Sequence, residues 1–293
     1  MKVRRNKTGH AVDAVIYTIL FIITVVTLYP LWHVVMASIS EGNQLIRHSG
    51  AIWYPLGISF EAYKTVLQNP SILAGYGNTL IYLFFGTSLN LLLTTLGAYV
   101  LSRKGFLWRT PFMLLILFTM FFSGGMIPRF LLVESLGLID SRLAIILPTA
   151  VSTYNLIIMR TSFAAVPESL EESAKIEGAN DFQILWSIFI PVSKAVVAVM
   201  ILYYGVAHWN DWFSSMLYIR DRAKYPLQMV LREILILNQM ENMRENIDFD
   251  KLEQIGYTIK YTTIVVATVP ILVIYPFLQK YFVKGVMIGA VKG

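Results

Sequence analysis

Two sets of residues in this chain have the types and spacing to do chemistry. The first is the stretch VPESLEESAKIEGANDFQILWSIFIP, residues 166–191, with Glu168, Glu171, Glu172, Glu177 and Asp181 against one base, Lys175. Its net charge of −4 suits a basic partner surface, or equally the exposed face of a solvated helix with ordinary capping acids. The second is a group of hydrogen-bonding and aromatic residues inside otherwise apolar sequence: Tyr154, Asn155, Tyr203, Tyr204, His208, Trp209, Asn210 and Asp211. Aromatic faces beside hydrogen-bonding groups suit a sugar, and polar groups in a membrane are costly unless they serve a cavity. Asn155 and Asp211 therefore lead the candidates for a translocation pathway. The competing readings are helix–helix adhesion for the amides and an interfacial position for Trp209.

Other chemistry is excluded or unsupported. The chain has no GxxxxGK[ST] with which to bind ATP, no HExxH, no GxSxG and no paired carboxylates on a membrane face. We assign it no catalytic residue, no metal site and no cofactor of its own. Zero cysteines exclude disulfides, thiolate zinc and a cysteine nucleophile. His33 has no second ligand three or four residues away, so it reads as a packing donor. The net charge of +6 gathers at the ends of apolar runs and forms no stripe, which points to membrane orientation and away from nucleic acid.

These residues need elements to position them. The chain is 56% hydrophobic and 14% charged, with a mean hydropathy of +0.60, so lipid is its main solvent. A span needs about 20 apolar residues. Six candidates meet that length: Ala14–Met36, Thr79–Leu101, Thr110–Leu132, Leu143–Phe163, Pro191–Leu217 and Thr258–Phe282. The first apolar run is too long for a signal peptide and reads as retained. The fourth is interrupted by Pro148 and by Ser152-Thr153-Tyr154-Asn155; irregular backbone at such depth must face protein or a cavity. Lys2, Arg4, Arg5, Lys7, Arg103, Lys104, Arg109, Lys280, Lys284 and Lys292 all fall on one side of a six-span topology, which predicts that both termini are cytoplasmic. Loops 37–78, 133–142 and 218–257 then face outward, the last with seven acids and six bases. The expected layout is an N-terminus at 1–13, a membrane domain at 14–282 and a cytoplasmic tail at 283–293.

Local signals add detail. Pro167 suits a first helical position, Glu168, Glu171 and Glu172 suit the positive end of a helix dipole, and Gly178 suits a left-handed stop. Asn180 or Asp181 then caps a second helix running into the fifth span. The stretch 166–191 is thus a helix, a sharp turn and another helix at the membrane surface. Outside the spans, 60–68 reads as a short helix with Phe60, Tyr63, Lys64 and Leu67 on one face, stopped by Pro70. Segment 225–245 reads likewise, with Leu227, Val230, Leu231, Ile234 and Leu235 together.

The spacing in 166–191 resembles the EAA loop of binding-protein-dependent ABC importer permeases: E-A-A, three residues, Gly, nine residues, I-x-L-P. Here the chain reads Glu172-Ser173-Ala174, Gly178 and Ile188-Phe189-Ile190-Pro191. Ser173 and Ile190 are mild departures, and Glu177 stands where Asp is common. Three further stretches look like those of maltose-type carbohydrate permeases: Ile127-Pro128 to Gly137-Leu138-Ile139-Asp140 and Ile146-Leu147-Pro148; Trp209-Asn210-Asp211; and Tyr225-Pro226-Leu227. The tail Lys284–Gly293 resembles theirs too. The whole is most similar to the second permease of oligosaccharide importers of Gram-positive bacteria.

The resemblance implies an all-α polytopic protein with six transmembrane helices and the type I ABC importer (MetI-like) permease fold, in the bacterial cell membrane. It implies an oligosaccharide substrate and an ATPase-coupling surface of Glu171, Glu172, Ala174, Glu177, Gly178, Ala179 and Pro191, with Glu172 as its salt-bridging residue. Its substrate pathway would hold Tyr154, Asn155, Tyr204, Trp209, Asn210 and Asp211. The implied partners are a second permease in a heterodimer, an ATPase homodimer that binds the ATP–Mg, and an extracellular solute-binding lipoprotein. The rivals are an ion-coupled secondary sugar transporter, which lacks a convincing midplane acid here, an intramembrane enzyme and a non-transporting scaffold.

Overall fold

The structure is a computed structural model that describes residues 7–241, 257–273 and 276. The tail 283–293, the end of the sixth predicted span and much of the 218–257 loop lie outside the described residues. Every regular element among the described residues is helical. The first predicted span is α1 (Lys7–Ser38), followed by the short helices α2 (Gly42–Arg47) and α3 (Glu61–Gln68). The second is α4 (Pro70–Ser102). Pro70 opens α4, where its missing N–H has no helical partner to lose. On α3 the packed residues are Ala62 and Val66; Phe60 and Leu67, expected to share a face, are exposed.

The third predicted span, Thr110–Leu132, is not continuous. It divides into α5 (Arg109–Phe121) and α6 (Met126–Ser135), which meet at 112°. Gly125 sits at the break with φ +82°, a conformation that favours glycine. The fourth is irregular, as its polar residues required. α7 (Leu143–Ile146) passes through a 3₁₀ turn at Leu147–Thr149, and α8 (Thr153–Ala164) departs at 51°. Then come α9 (Glu168–Ile176), α10 (Asp181–Ile184), a π turn at Leu185–Phe189 and α11 (Ile190–Val192). The fifth is shorter than Pro191–Leu217: α12 (Lys194–Asn210) begins after an 86° bend, and α13 (Phe213–Tyr218) is separate. α14 (Leu227–Glu241) and α15 (Tyr257–Val273) complete the order. Leu227, Val230 and Leu231 of α14 are buried, as their common face predicted. α1 and α4 are each long and apolar enough to cross a membrane, three bent pairs qualify jointly, and α15 is a shorter apolar helix.

The chain divides into two units, Met1–Asn69 with Glu233–Val269, and Pro70–Arg232 with Pro270–Gly293. In the first, Ser38 bonds the Tyr63 hydroxyl at 2.8 Å and its carbonyl accepts from Thr262 at 3.1 Å, so α1, α3 and α15 share one anchor. His33 lies 3.4 Å from the Tyr29 hydroxyl, beside the Tyr261 ring.

The second unit is built on α4, α8 and α12. α4 reverses the pattern of a soluble helix. Its buried stripe recurs every three or four residues and is mostly small or polar: Gly75, Asn78, Thr79, Tyr82, Gly86, Asn90, Thr94, Ala98 and Ser102, while Leu80, Phe84 and Phe85 point outward. Small residues let helices approach closely in lipid, and polar ones bond across the interface. At one end of α4 the core turns aromatic and aliphatic, joining Tyr99, Met159, Phe163, Ile184, Leu185, Phe189 and Met200.

Candidate functional site

The acidic stretch 166–191 folds as a capped hairpin. Pro167 is the N-cap of α9 and not its first helical residue, so Glu168 opens the helix. α9 ends in a Schellman turn: the Gly178 N–H donates to the Lys175 carbonyl at 3.0 Å and the Ala179 N–H to Ala174 at 2.9 Å. Gly178 has φ +84°, and Ala174 and Ala179 both pack on the core. This is the physical content of the E-x-A-x-x-x-G spacing, since the two alanines clasp and only the glycine turns freely. Asn180, not Asp181, caps α10, in a reciprocal capping box with Gln183. Pro191 has no N–H for a helical bond to Ser187 and its ring crowds that carbonyl. The wide turn at Leu185–Phe189 accommodates it.

The five acids divide by function. Arg103, at the end of α4, pairs with Glu171 and lies over the Tyr99 ring at 5.0 Å and the Phe189 ring at 5.5 Å. Lys175 also reaches Glu171, at 2.8 Å. Lys104 donates to Glu168 at 2.6 Å, and that hydrogen bond, with the charge behind it, holds the Glu168 carboxyl below its usual range. The Tyr99 hydroxyl donates to Asp181 at 3.1 Å. Three acids thus fasten the hairpin to its own chain. Glu172 and Glu177 are exposed and have no ion-pair partner among the described residues, next to Ile176 at 87% exposure. The tip is an apolar knob with two free carboxylates.

At the far end of α12 a cavity of about 320 Å³ is lined by Ser152, Asn155, Tyr203, Tyr204, His208, Asn210 and Asp211. Four of the six expected pathway residues (Asn155, Tyr204, Asn210 and Asp211) therefore meet there. Two do not. Tyr154 is exposed and is not part of the lining, although its ring lies 6.4 Å from that of Tyr203, which is. Trp209 is buried edge-on against Tyr76, its indole N–H without a partner among the described residues.

The walls are held in part by residues that sequence reasoning missed, Asn90, Thr94 and Gly86. Asn90 donates to the Thr149 and Ala150 carbonyls at 2.6 and 2.9 Å and shares a 2.7 Å bond with His208 Nε2. The Tyr204 hydroxyl accepts from the Ser152 N–H at 3.1 Å and bonds Thr94 at 2.7 Å. The groups freed by the α7–α8 break are thus satisfied from α4 and α12. Gly86 makes room for this: a Cβ there would lie 2.4 Å from His208 Nε2. The available signal was the small and polar stripe of α4.

The Gly137-to-Asp140 and Tyr225-Pro226-Leu227 stretches also join. Asp140, at φ +60°, accepts from the Asp221 and Arg220 N–H groups at 3.0 and 3.1 Å and from Lys224 Nζ at 3.1 Å. The backbone donors, Asp221 first, hold its carboxyl low. Asn78 and Tyr82 of α4 bind the carbonyls of Ala223, Lys224 and Tyr225. Loop 218–227 is thereby pinned to α4.

Comparison with known proteins agrees with this architecture. A family model described as binding-protein-dependent transport system inner membrane component matches residues 105–288. The chain is 42% identical to the polygalacturonan/rhamnogalacturonan transport system permease protein YtcP of Bacillus subtilis (strain 168) over 287 residues, 96% of this chain and 98% of that protein. It is 40% identical to Protein LplC of the same strain over 295 residues, 98% and 97% of the two chains. In fold it resembles a chain of the crystal structure of a bacterial ABC transporter involved in the import of the acidic polysaccharide alginate. That match has TM-score 0.87 and 33% identity, covering 96% of this chain and 100% of that one.

Proposed function

The chain belongs to the family of binding-protein-dependent transport system inner membrane components, and we propose that it forms half of the translocation pathway of an ATP-driven oligosaccharide importer and takes its motion from a separate ATPase through the hairpin 166–191. The observation that carries this reading is the division of labour among the hairpin's acids. Glu168, Glu171 and Asp181 fix it to α4, and Glu172 and Glu177 stand free beside Ile176. A rigid knob with a free acidic and apolar tip suits a basic-rimmed cleft on a partner.

In this reading both termini and the hairpin are cytoplasmic. The partners are a second permease in a heterodimer, an ATPase homodimer that binds the ATP–Mg, and an extracellular solute-binding lipoprotein. The chain itself performs no catalysis. ATPase closure displaces the knob, and α8 and α12 carry the displacement to the cavity at Asn155, Tyr204, Asn210 and Asp211, where sugar hydroxyls bind. Names of relatives support the substrate class: one is a polygalacturonan/rhamnogalacturonan permease, and the matched structure imports alginate. The test is Glu172→Lys in the assembled importer in vesicles. ATP-driven sugar uptake is expected to be abolished with membrane insertion unchanged, and uptake at the wild-type rate would overturn the coupling assignment.

A further inference from the structure

The break between α5 and α6 opens a second cavity, of about 580 Å³, lined among others by Gly124, Gly125, Arg129, Phe213, Ser214 and Tyr218. Among the described residues Arg129 is the only charged side chain on its walls. Arg129 Nη2 donates to the Pro148 carbonyl at 2.5 Å, and the guanidinium has no carboxylate partner among the described residues. That carbonyl fixes one edge of the planar group and leaves its other donors available, the geometry for a two-point grip on a carboxylate. Arg129 is exposed and lies near the outer end of the third predicted span; an ionisable residue within a span that faces a cavity is a candidate binding group. Phe213, which is exposed, adds an aromatic face for a sugar ring.

The neighbouring cavity has the opposite sign. It shares Ser214 with this one, and its only carboxylate among the described residues, Asp211, accepts from the Ser214 N–H at 3.0 Å. An anionic group is repelled there and attracted at Arg129. Resting on the importer reading above, we infer that the cavity at the α5–α6 break is a subsite for the carboxylate of a uronic acid residue, with Arg129 as its binding group. The carboxylate of one sugar unit sits at Arg129 while hydroxyls of the adjacent unit reach Asn155 and Tyr204. The importer is thereby selective for acidic over neutral oligosaccharides of the same linkage.

The test compares trigalacturonate with its carboxyl-reduced trimer, using the full complex in liposomes of neutral lipid. Arg129→Gln is expected to lower ATP-driven uptake of the acidic trimer at least about tenfold and to leave the reduced trimer within about twofold, while Arg129→Lys retains part of the preference. A second readout needs no transport. The chain has no cysteine of its own, so Leu217→Cys on the cavity wall gives this subunit a single thiol. Trigalacturonate is expected to slow its alkylation several-fold more than the reduced trimer, and adding Arg129→Gln is expected to erase that difference. Unchanged acidic uptake in Arg129→Gln, or an equal fall for both trimers, overturns the subsite. Protection that appears only with anionic lipid assigns the guanidinium to headgroups and also overturns it. If wild-type vesicles import the reduced trimer only, the subsite falls and the importer stands; if ATP drives neither trimer, the importer reading itself falls.

Discussion

Gly178 offers the sharpest test of how the hairpin works. Its φ of +84° lies in the left-handed region, and a Cβ built on it meets nothing within 4 Å. Any substitution cost is therefore backbone strain and not collision. That strain is about 1–2 kcal/mol for alanine, smaller for asparagine and larger for a β-branched residue. The turn rests on two backbone bonds, Gly178 to Lys175 and Ala179 to Ala174, and the strain opposes both. A loss of 1–2 kcal/mol shifts a closed-to-open ratio by roughly 5–30-fold. The core under α9 and α10 does not include residue 178, so insertion and folding should survive. The assay is the ATPase rate of the purified importer stimulated by sugar-loaded binding protein, across Gly178→Asn, Gly178→Ala and Gly178→Val. Coupling is expected to fall in that order, with valine near the unstimulated rate. Equal coupling in all three, or losses that follow side-chain volume with asparagine worse than alanine, would refute the left-handed turn as the determinant.

Gly86→Ala should push the His208 ring off Asn90, since the new Cβ meets Nε2 at 2.4 Å and Cε1 at 2.5 Å. The expected loss is about 1–3 kcal/mol, read as a lower melting temperature of the complex, and adding His208→Ala should restore part of it. The Glu168 carboxyl is held low by Lys104, so its contribution is in place above the ordinary carboxylate pKa and is lost as pH falls through the depressed folded value. Opening of residues 168–176, read by hydrogen exchange corrected for the intrinsic rate, should increase only in acid, and Lys104→Gln should largely remove that pH dependence by removing the stabilisation at neutral pH. Both side chains are solvent-exposed, so the effect should be small and should weaken with salt.

The sequence displayed the parts whose cause is local. The hairpin's turn follows from Gly178, its second cap from Asn180 and the position of its bend from Pro191, all within a few residues of the structure they produce. The irregular fourth span was legible because Pro148 and Ser152 interrupt an apolar run. The break at Gly124 and Gly125 was not, because the apolar residues on both sides satisfy a length criterion that takes no account of direction. Nor was Asn90 legible as a support of the cavity wall, since its partners at 149, 150 and 208 are brought to it only by the packing of three helices. Trp209 misled for a related reason: its neighbours Asn210 and Asp211 line the cavity, but one position along a helix turns the indole about 100° away from them. The same geometry separates Tyr154 from Asn155.

The cavities sit at the breaks for a physical reason. A broken helix in lipid leaves carbonyls and N–H groups that must find partners or water. At the α7–α8 break Asn90 takes Thr149 and Ala150, Tyr204 takes Ser152, and Arg129 takes Pro148. The polar side chains that satisfy the backbone are the ones that line or flank the two cavities, so one requirement builds both the joint and the cavity wall. The helices between these joints and the hairpin are short and direct. α8 runs from its Ser152 cap to Ala164, just before Pro167, and α12 runs from the bend at Ser193 to Asp211. Their 12 and 17 residues are about 18 and 26 Å of rod. In the proposed importer, a displacement of the knob reaches Ser152 and Asp211 through these two rods together. In that proposal, the Asn90 and Tyr204 bonds that tie them to α4 are the contacts that yield when the cavity changes shape.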